Sequence, residues 1–444
     1  MKPPVFKGLP LLGSAIDLSK DILRFLGKGF EAKGDSYIFN LPGRRIFTTR
    51  SAEVAQYILQ KNNKNYRKDY GANKLRMALG NGLLTNDGES WFRQRRLAQP
   101  AFYKKRLEGF FDTMQSFTLT YIEPWKKSGT RTIFIDAEMM QLTSNIVVET
   151  LLGSDVSKNL SSIQKYIYDI QHYMVQCIRN PVYEWFSKYN GDQKKFNATM
   201  HDFDKILYDI IAQRKKLEPK NDLLSMLIEA RDEDTNEQMN DKQLRDELLT
   251  IYVAGHETSG YAIAWSIYNL CKHPESYEKV KQELKTVMQD GILTMENFGQ
   301  LKYLRAVIDE SLRLYPTAYI VGRESKATDE INGLEIPKDI MTLISVYHLH
   351  RNPKYWKQPN NFVPERFLDK EHPMANSEAY FPFGAGPRMC IGFYFAIMEI
   401  TVVLANLFYH FDLKLAENQQ IEFEPLVTLK PKNGIQVEIT TANL

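Results

Sequence analysis

The chain has little cysteine: Cys177, Cys271 and Cys390 are the full complement in 444 residues. An odd number of widely separated thiols argues against a disulfide framework and fits a reducing compartment. Their spacing excludes a structural zinc site. Net charge is small, +3, and no basic stripe dominates, which argues against nucleic acid as a partner. Long apolar runs are also missing. The N-terminal MKPPVFKGLPLLGS has no signal-peptide core, and the longest apolar run, Phe393 to Phe408, is interrupted by Glu399 and Asn406. That run reads as a buried helix, so no membrane span and a cytoplasmic location are expected. No internal repeat is evident.

Material for a core is ample, with 43% hydrophobic residues, 24 Phe and 24 Tyr. The length exceeds the roughly 250–300 residues at which single cores stop growing, so two sub-domains or one very large domain are expected. Periodicity predicts helices over 21–33, 52–60, 89–101, 104–127, 136–152, 160–189, 192–217, 221–231, 241–272, 274–289, 301–314 and 391–409. Residues 66–87, polar and dotted with glycine, read as a long loop. The stretch 231–240, RDEDTNEQMN, reads as a solvated connector. Strand signals cluster at about 35–50, 331–346 and 421–440, with hairpin turns at Pro42-Gly43, Asn332-Gly333 and Asn433-Gly434. The fold class is therefore mainly α with small β regions.

The stretch Phe381 to Gly392, FPFGAGPRMCIG, cannot be regular structure, because Gly384, Gly386, Gly392, Pro382 and Pro387 break it. It places Cys390 just before a helix N-terminus, where the positive partial charge favours a thiolate. Cys390 is then either a lone anionic ligand for a metal or a structural cysteine at a helix start. The 241–272 helix, capped by Asn240 with Gln243, would be roughly 48 Å long and so a central beam. Its middle carries Ala254, Gly255, Glu257, Thr258 and Gly260. Two mid-helix glycines suggest that something flat approaches the backbone, or that the helix bends. Glu257 and Thr258 form a candidate proton-delivery pair; alternatively Thr258 bonds back to a carbonyl.

Glu310 and Arg313 lie one turn apart, and Arg366 in PERF can join them bidentately as a buried network. Trp91 and Arg95, also one turn apart, suit anionic groups such as carboxylates, as do Arg323 and Arg388. Arg44 and Arg45 read as a polar turn or as a carboxylate-binding pair.

Together these stretches resemble the cytochrome P450 superfamily of haem-thiolate monooxygenases, in the family's order and over most of the chain. The cysteine loop, AGHETS, ESLR, PERF and WFRQR each resemble a family motif. The resemblance implies one P450 domain over 1–444, of the soluble bacterial type, with the long central helix over the haem. It implies haem b (iron protoporphyrin IX) as cofactor and O2 as co-substrate. Cys390 would be the axial metal ligand, whose thiolate favours O–O cleavage. Phe383, Gly384 and Gly392 would shape its loop, and Trp91, Arg95, Arg323 and Arg388 would hold the propionates. Ala254 and Gly255 would line the oxygen pocket, Thr258 and Glu257 would deliver protons, and Glu310, Arg313 and Arg366 would be structural. The substrate cavity would be bordered by the 66–87 loop, residues 173–182, Thr317 to Val321, Leu83, Leu84, Ala254, Ile320 and Val427, which suggests a lipophilic small molecule.

The resemblance is to members expected to carry neither the membrane anchor of microsomal members nor the fused reductase of self-sufficient ones. Electrons are therefore expected from a separate ferredoxin, flavodoxin or reductase, docking near Arg93, Arg96, Lys104 and Lys105. The protein is expected to be a monomer that hydroxylates or epoxidises its substrate. A peroxide-dependent hydroxylase and a non-catalytic haem sensor are the alternatives, and the Glu257–Thr258 pair disfavours both.

Overall fold

A computed structural model describes residues 2–442 apart from 128, 154–159, 180–182, 289 and 369–377. The architecture is mainly helical and is organised on the helix Asp241–Lys272, hereafter the central helix. Asn240 Oδ1 accepts the Gln243 N–H at 2.9 Å and Gln243 Oε1 accepts the Asn240 N–H at 3.1 Å, so the anticipated capping box forms. Pro274 opens the next helix and stops this one. The central helix is buried on most sides, packing on Ile135–Leu152, Lys302–Leu314 and Phe393–His410. Trp265 fixes its far end, stacking on Tyr315 at 4.3 Å and donating to the Leu429 carbonyl at 3.0 Å.

The helix Phe393–His410 is long and apolar enough to cross a membrane, yet 72% of it is buried inside the protein. It is a core helix, as the interrupting Glu399 and Asn406 suggested. The cysteine loop therefore leads directly into the most buried part of the fold.

A six-stranded sheet forms the second layer, in the order Val5–Phe6, Ser36–Leu41, Arg44–Thr49, Met341–Ser345, Ile320–Ser325, Tyr66–Arg67. Its first hairpin closes at Pro42-Gly43, with Gly43 at φ +70°. Asn332 (φ +51°) and Gly333 (φ +78°) close the hairpin pairing Ile331 with Leu334. Positive φ at both central positions is the turn that matches strand twist.

Several boundaries differ from the sequence expectation. Residues 66–87 are not all loop: they hold strand Tyr66–Arg67 and helix Tyr70–Leu79. Asp69 caps that helix by accepting the Ala72 N–H at 3.1 Å, and Gly80 at φ +59° ends it. Of the glycines that suggested a loop, Gly71 is a first-turn residue and Gly80 the C-cap, and Gly82 alone lies in the loop that remains. The strand-rich region begins at Ile320, not 331, because the polar run Gly322 to Ser325 hid a strand lying inside the sheet. No hairpin turns at Asn433-Gly434. Phe423–Pro425 pairs with Leu429–Pro431, while Gln436–Thr441 joins Phe411–Leu415 and Arg131–Phe134. Pro425 and Pro431 lack the N–H needed to extend that pairing. The 104–127 helix is split into Lys104–Leu107 and Phe111–Lys126, with Gly109 at the break. The 160–189 helix is two helices, Leu160–Arg179 and Tyr183–Asn190, whose junction lies outside the described residues.

Candidate functional site

The cysteine loop is held by its own backbone. The Cys390 N–H donates to the Phe383 carbonyl at 2.9 Å and the Met389 N–H to the Gly386 carbonyl at 3.0 Å. Gly384 (φ +72°) and Gly386 (φ +69°) make the turns. A Cβ on Gly386 would lie 2.0 Å from the Leu59 carbonyl oxygen, so the loop can seat there only with glycine. Phe383 meets the Phe393 ring edge-on at 4.9 Å and closes the loop against the helix. Cys390 is exposed at its surface yet surrounded by protein, and burial pushes its thiol up against the opposing effects of the Gly392 N–H and Arg95. The helix start therefore does not by itself yield a thiolate; a cation on the sulfur would. Among the described residues no cluster of three or more His, Cys, Asp and Glu could hold a metal.

On the central helix Ala254 is exposed and Thr258 half-buried, although the helix crosses the core. Thr258 Oγ1 donates to the Ala254 carbonyl at 2.7 Å. Glu257 turns elsewhere: it accepts from Thr428 Oγ1 at 2.7 Å and Gln171 Nε2 at 3.1 Å, and burial raises its pKa. The two side chains are thus adjacent in sequence but bonded to different partners. The glycines serve packing rather than a flat ligand. A Cβ on Gly255 would meet Val147 at 3.3 Å, and one on Gly260 would meet Met140 Sδ at 3.0 Å.

Four basic side chains gather near the loop. Arg388 lies over the Trp91 ring at 4.1 Å and pairs with Asp87. Arg323 is buried, and its Nη1 donates to the Gly322 carbonyl at 2.7 Å. Burial and the Arg388 charge push it down to about 10. Lys68 is lowered for the same reasons, by burial, Arg323 and Arg388. Sequence reasoning missed Lys68, because the chain around it looked like open loop. Asp69 and Asp87 offset this charge only in part. Arg95, the fourth, is occupied by Gln99 Oε1 at 2.9 Å and the Met389 carbonyl at 3.0 Å. The Trp91 indole N–H is already given to the Leu83 carbonyl at 3.0 Å, so it is not free for an anion as expected.

Below the loop Glu310 and Arg313 are both 0% exposed and paired at 2.7 Å, and Arg366 Nε reaches Glu310 at 3.1 Å. Arg313 also donates to the carbonyls of His350, Pro359 and Asn361 at 2.7, 2.7 and 3.0 Å. The three expected members therefore meet, and His350 is a fourth that no motif announced.

The expected cavity residues scatter more. Leu84 and Val427 are exposed, at 37% and 41%. Leu83 packs against the main core, and Ile320 against Phe25 and Leu23. Tyr173 faces inward, stacked on Phe196 at 4.4 Å, and Met174 and Cys177 are buried, so these three side chains pack rather than line a cavity. Residues 180–182 lie outside the described residues. Arg44 stacks on Tyr70 at 4.1 Å. The connector is not free either: Arg96 pairs with Asp232 and Asp234, both at 2.8 Å, and Arg93 with Glu237 at 2.5 Å.

A lone thiol on a glycine-shaped loop, a helix carrying an accessible alanine and threonine, and crowded cations define a haem-thiolate type of centre. The model of the family "Cytochrome P450" matches residues 3–439. A cytokinin hydroxylase of Arabidopsis thaliana is 33% identical over 82% of this chain and 73% of its own length. Cyclooctatin synthase of Streptomyces melanosporofaciens is 28% identical over 95% and 92%. A solved structure, retinoic acid-bound cyanobacterial CYP120A1, matches with a TM-score of 0.89 and 25% identity, over 99% of both chains. The chain belongs to the cytochrome P450 family and is a monooxygenase of that type, with haem b as cofactor and O2 as co-substrate. The residues present fit that cofactor. Arg323, Arg388 and Lys68 repel one another where two propionate carboxylates would neutralise them, and Cys390 offers one soft ligand.

Proposed function

We propose that this protein inserts one atom of O2 into a lipophilic small molecule, by hydroxylation or epoxidation, with electrons from a separate ferredoxin, flavodoxin or reductase. The observation that carries this reading is the accessible Ala254–Thr258 face on an otherwise buried beam. When bound, haem supplies the iron at which dioxygen is activated, its reactivity raised by the thiolate ligand. Cys390 would hold the iron, and the Gly392 N–H would temper the sulfur charge. Arg323, Arg388 and Lys68 would bind the propionates. Ala254 leaves room beside the helix, and Thr258, its rotamer fixed by the Ala254 carbonyl, presents a hydroxyl there. Glu257 is held by Thr428 and Gln171, and burial raises its pKa and so eases its protonation. Together they would move protons toward that face.

The retinoic acid held by the cyanobacterial relative supports a lipophilic substrate. With Arg93 and Arg96 engaged, the exposed run Tyr103 to Arg106 is the better docking surface for an electron donor. The protein would act as a cytoplasmic monomer built as one domain. The test is optical and then chemical. The reduced, carbon-monoxide-bound spectrum should report thiolate ligation, and a spectral-shift screen of fatty acids, terpenoids and steroids should find a ligand. Turnover under labelled O2 should put one labelled atom in the product. A Cys390→Ala protein that kept the thiolate-type spectrum would sink the assignment. Turnover with hydrogen peroxide but with no reductase system would favour a peroxide-dependent hydroxylase.

A further inference from the structure

Three consecutive residues near the start of the central helix, Arg245, Asp246 and Glu247, bond to the backbone of one segment, residues 78–83. Arg245 Nη1 donates to the Ala78 carbonyl at 3.1 Å. Asp246 Oδ2 accepts the Asn81 N–H at 2.9 Å, and Glu247 Oε2 accepts the Leu83 N–H at 3.1 Å. The contact is close enough to require glycine. A Cβ on Gly80 would lie 2.2 Å from Asp246 Oδ1, and one on Gly82 would lie 2.1 Å from Thr250 Oγ1. The opposite edge of the segment is held by the helix Gly88–Ala98. There Gln94 Nε2 donates to the Asn81 carbonyl at 2.7 Å and Trp91 Nε1 to the Leu83 carbonyl at 3.0 Å. The Leu83 residue thus spans the gap, its N–H on the central helix and its carbonyl on the indole that lies under Arg388.

All three side chains are buried, Glu247 fully, and Glu247 Oε1 has no hydrogen-bond partner. Burial pushes this carboxyl up to about 8. As filler it is a poor choice, since leucine would occupy the space without desolvating a carboxyl. What it holds accounts for it.

We infer that Arg245, Asp246 and Glu247 are positioning residues that fix segment 78–83 and, through Leu83, set both the Trp91 indole and the apolar wall of Leu83 and Leu84. The second half rests on reading that wall as part of the substrate cavity. The test uses the full-length haem-loaded protein with Glu247→Leu and Glu247→Gln. Hydrogen exchange reads the 78–83 amides directly, and an optical titration with 4-phenylimidazole, an iron ligand that must enter the cavity, reads the wall. In Glu247→Leu, exchange at Leu83 should quicken and the probe should bind more weakly, each by about tenfold. Glu247→Gln, whose carbonyl can accept the same N–H, should restore both to within about threefold. Unchanged exchange in the leucine variant, or faster exchange with unchanged affinity, overturns the inference. Should that variant not fold, Gly82→Ala forces the segment away from Thr250 with Glu247 intact. It should show the same two defects, and wild-type behaviour from it also overturns the inference. Failure of the wild-type protein to give the thiolate-type carbon-monoxide spectrum would instead count against the haem-thiolate reading.

Discussion

His350 Nε2 accepts the Phe381 N–H at 2.8 Å while its Nδ1 faces the Arg313 carbonyl at 3.2 Å. One imidazole therefore joins the buried Glu310–Arg313 pair to the first residue of the cysteine loop. The bond from Phe381 assigns the tautomer: Nε2 is the acceptor, so Nδ1 carries the proton. Burial and the Arg313 charge push His350 down to about 3, which keeps it neutral in that role.

Replacing His350 with alanine should strand the Phe381 N–H and leave a cavity against Trp356 and Tyr380. A loss of roughly 3 kcal/mol in stability is expected. The thiolate-type carbon-monoxide band should fall with it, because the loop loses its anchor. Chemical unfolding and the reduced spectrum check this on one preparation. A variant of wild-type stability would show that the loop is held by its own bonds alone.

A second prediction concerns Glu399, fully buried in Phe393–His410 and pushed up to about 8 by burial. Ser259 lies toward it, yet neither carboxyl oxygen reaches hydrogen-bond geometry. Its folded pKa lies above the unfolded value of about 4.5, so its stabilising contribution is complete below that value. The contribution is lost as pH rises through about 8. From pH 6 to 8 the loss is about 1.4 kcal/mol per pH unit, on the order of 3 kcal/mol in all. Glu399→Gln should remove this share of the slope and leave the share of Glu247, which burial also pushes up to about 8. Urea unfolding at pH 6, 7 and 8 measures it, and identical slopes in both proteins would refute the buried-acid account.

The third follows from crowded charge. Arg323→Leu removes one of three mutually repelling cations, so haem-free protein should gain stability, by about 1 kcal/mol, since a buried, poorly compensated charge is exchanged for an apolar side chain. The haem-loaded protein should behave oppositely, losing haem to a scavenger about tenfold faster. Opposite signs in the two forms are the signature, and a variant destabilised in both would point to a purely structural arginine.

Much of this centre was legible in sequence because its motifs are local. The glycines that shape the loop before Cys390, and Glu310 with Arg313, each lie within a few residues of one another, whereas Glu257 and Thr258 are neighbours in sequence that bond different partners. What was hidden depends on distant contacts. Lys68 meets Arg323 only because Tyr66–Arg67 adds to the edge of the strand Ile320–Ser325. His350 meets Phe381 across a separation no periodicity encodes. Gly255 and Gly260 looked like room for a ligand because their partners, Val147 and Met140, come from another helix.

The hairpin tip offers the last prediction. Thr428 donates to Glu257 at 2.7 Å, so the connection between Phe423–Pro425 and Leu429–Pro431 reaches the central helix at its carboxyl. This bond and Lys430 oppose the burial that raises Glu257. Thr428→Val keeps the shape and removes the hydroxyl, so the Glu257 pKa should rise further. The carboxyl would then hold its proton more tightly and release it less readily. Product formed per electron consumed should fall roughly tenfold, because general acid–base groups contribute on the order of 10²–10⁴ in rate and this one is weakened, not deleted. The alkaline limb of the pH–rate profile should move up. Thr258→Ala should lower coupling further while leaving the pH limb in place, because the hydroxyl does not titrate in that range. If Thr428→Val left both coupling and pH profile unchanged, Glu257 would be a tether for the hairpin and not a proton source.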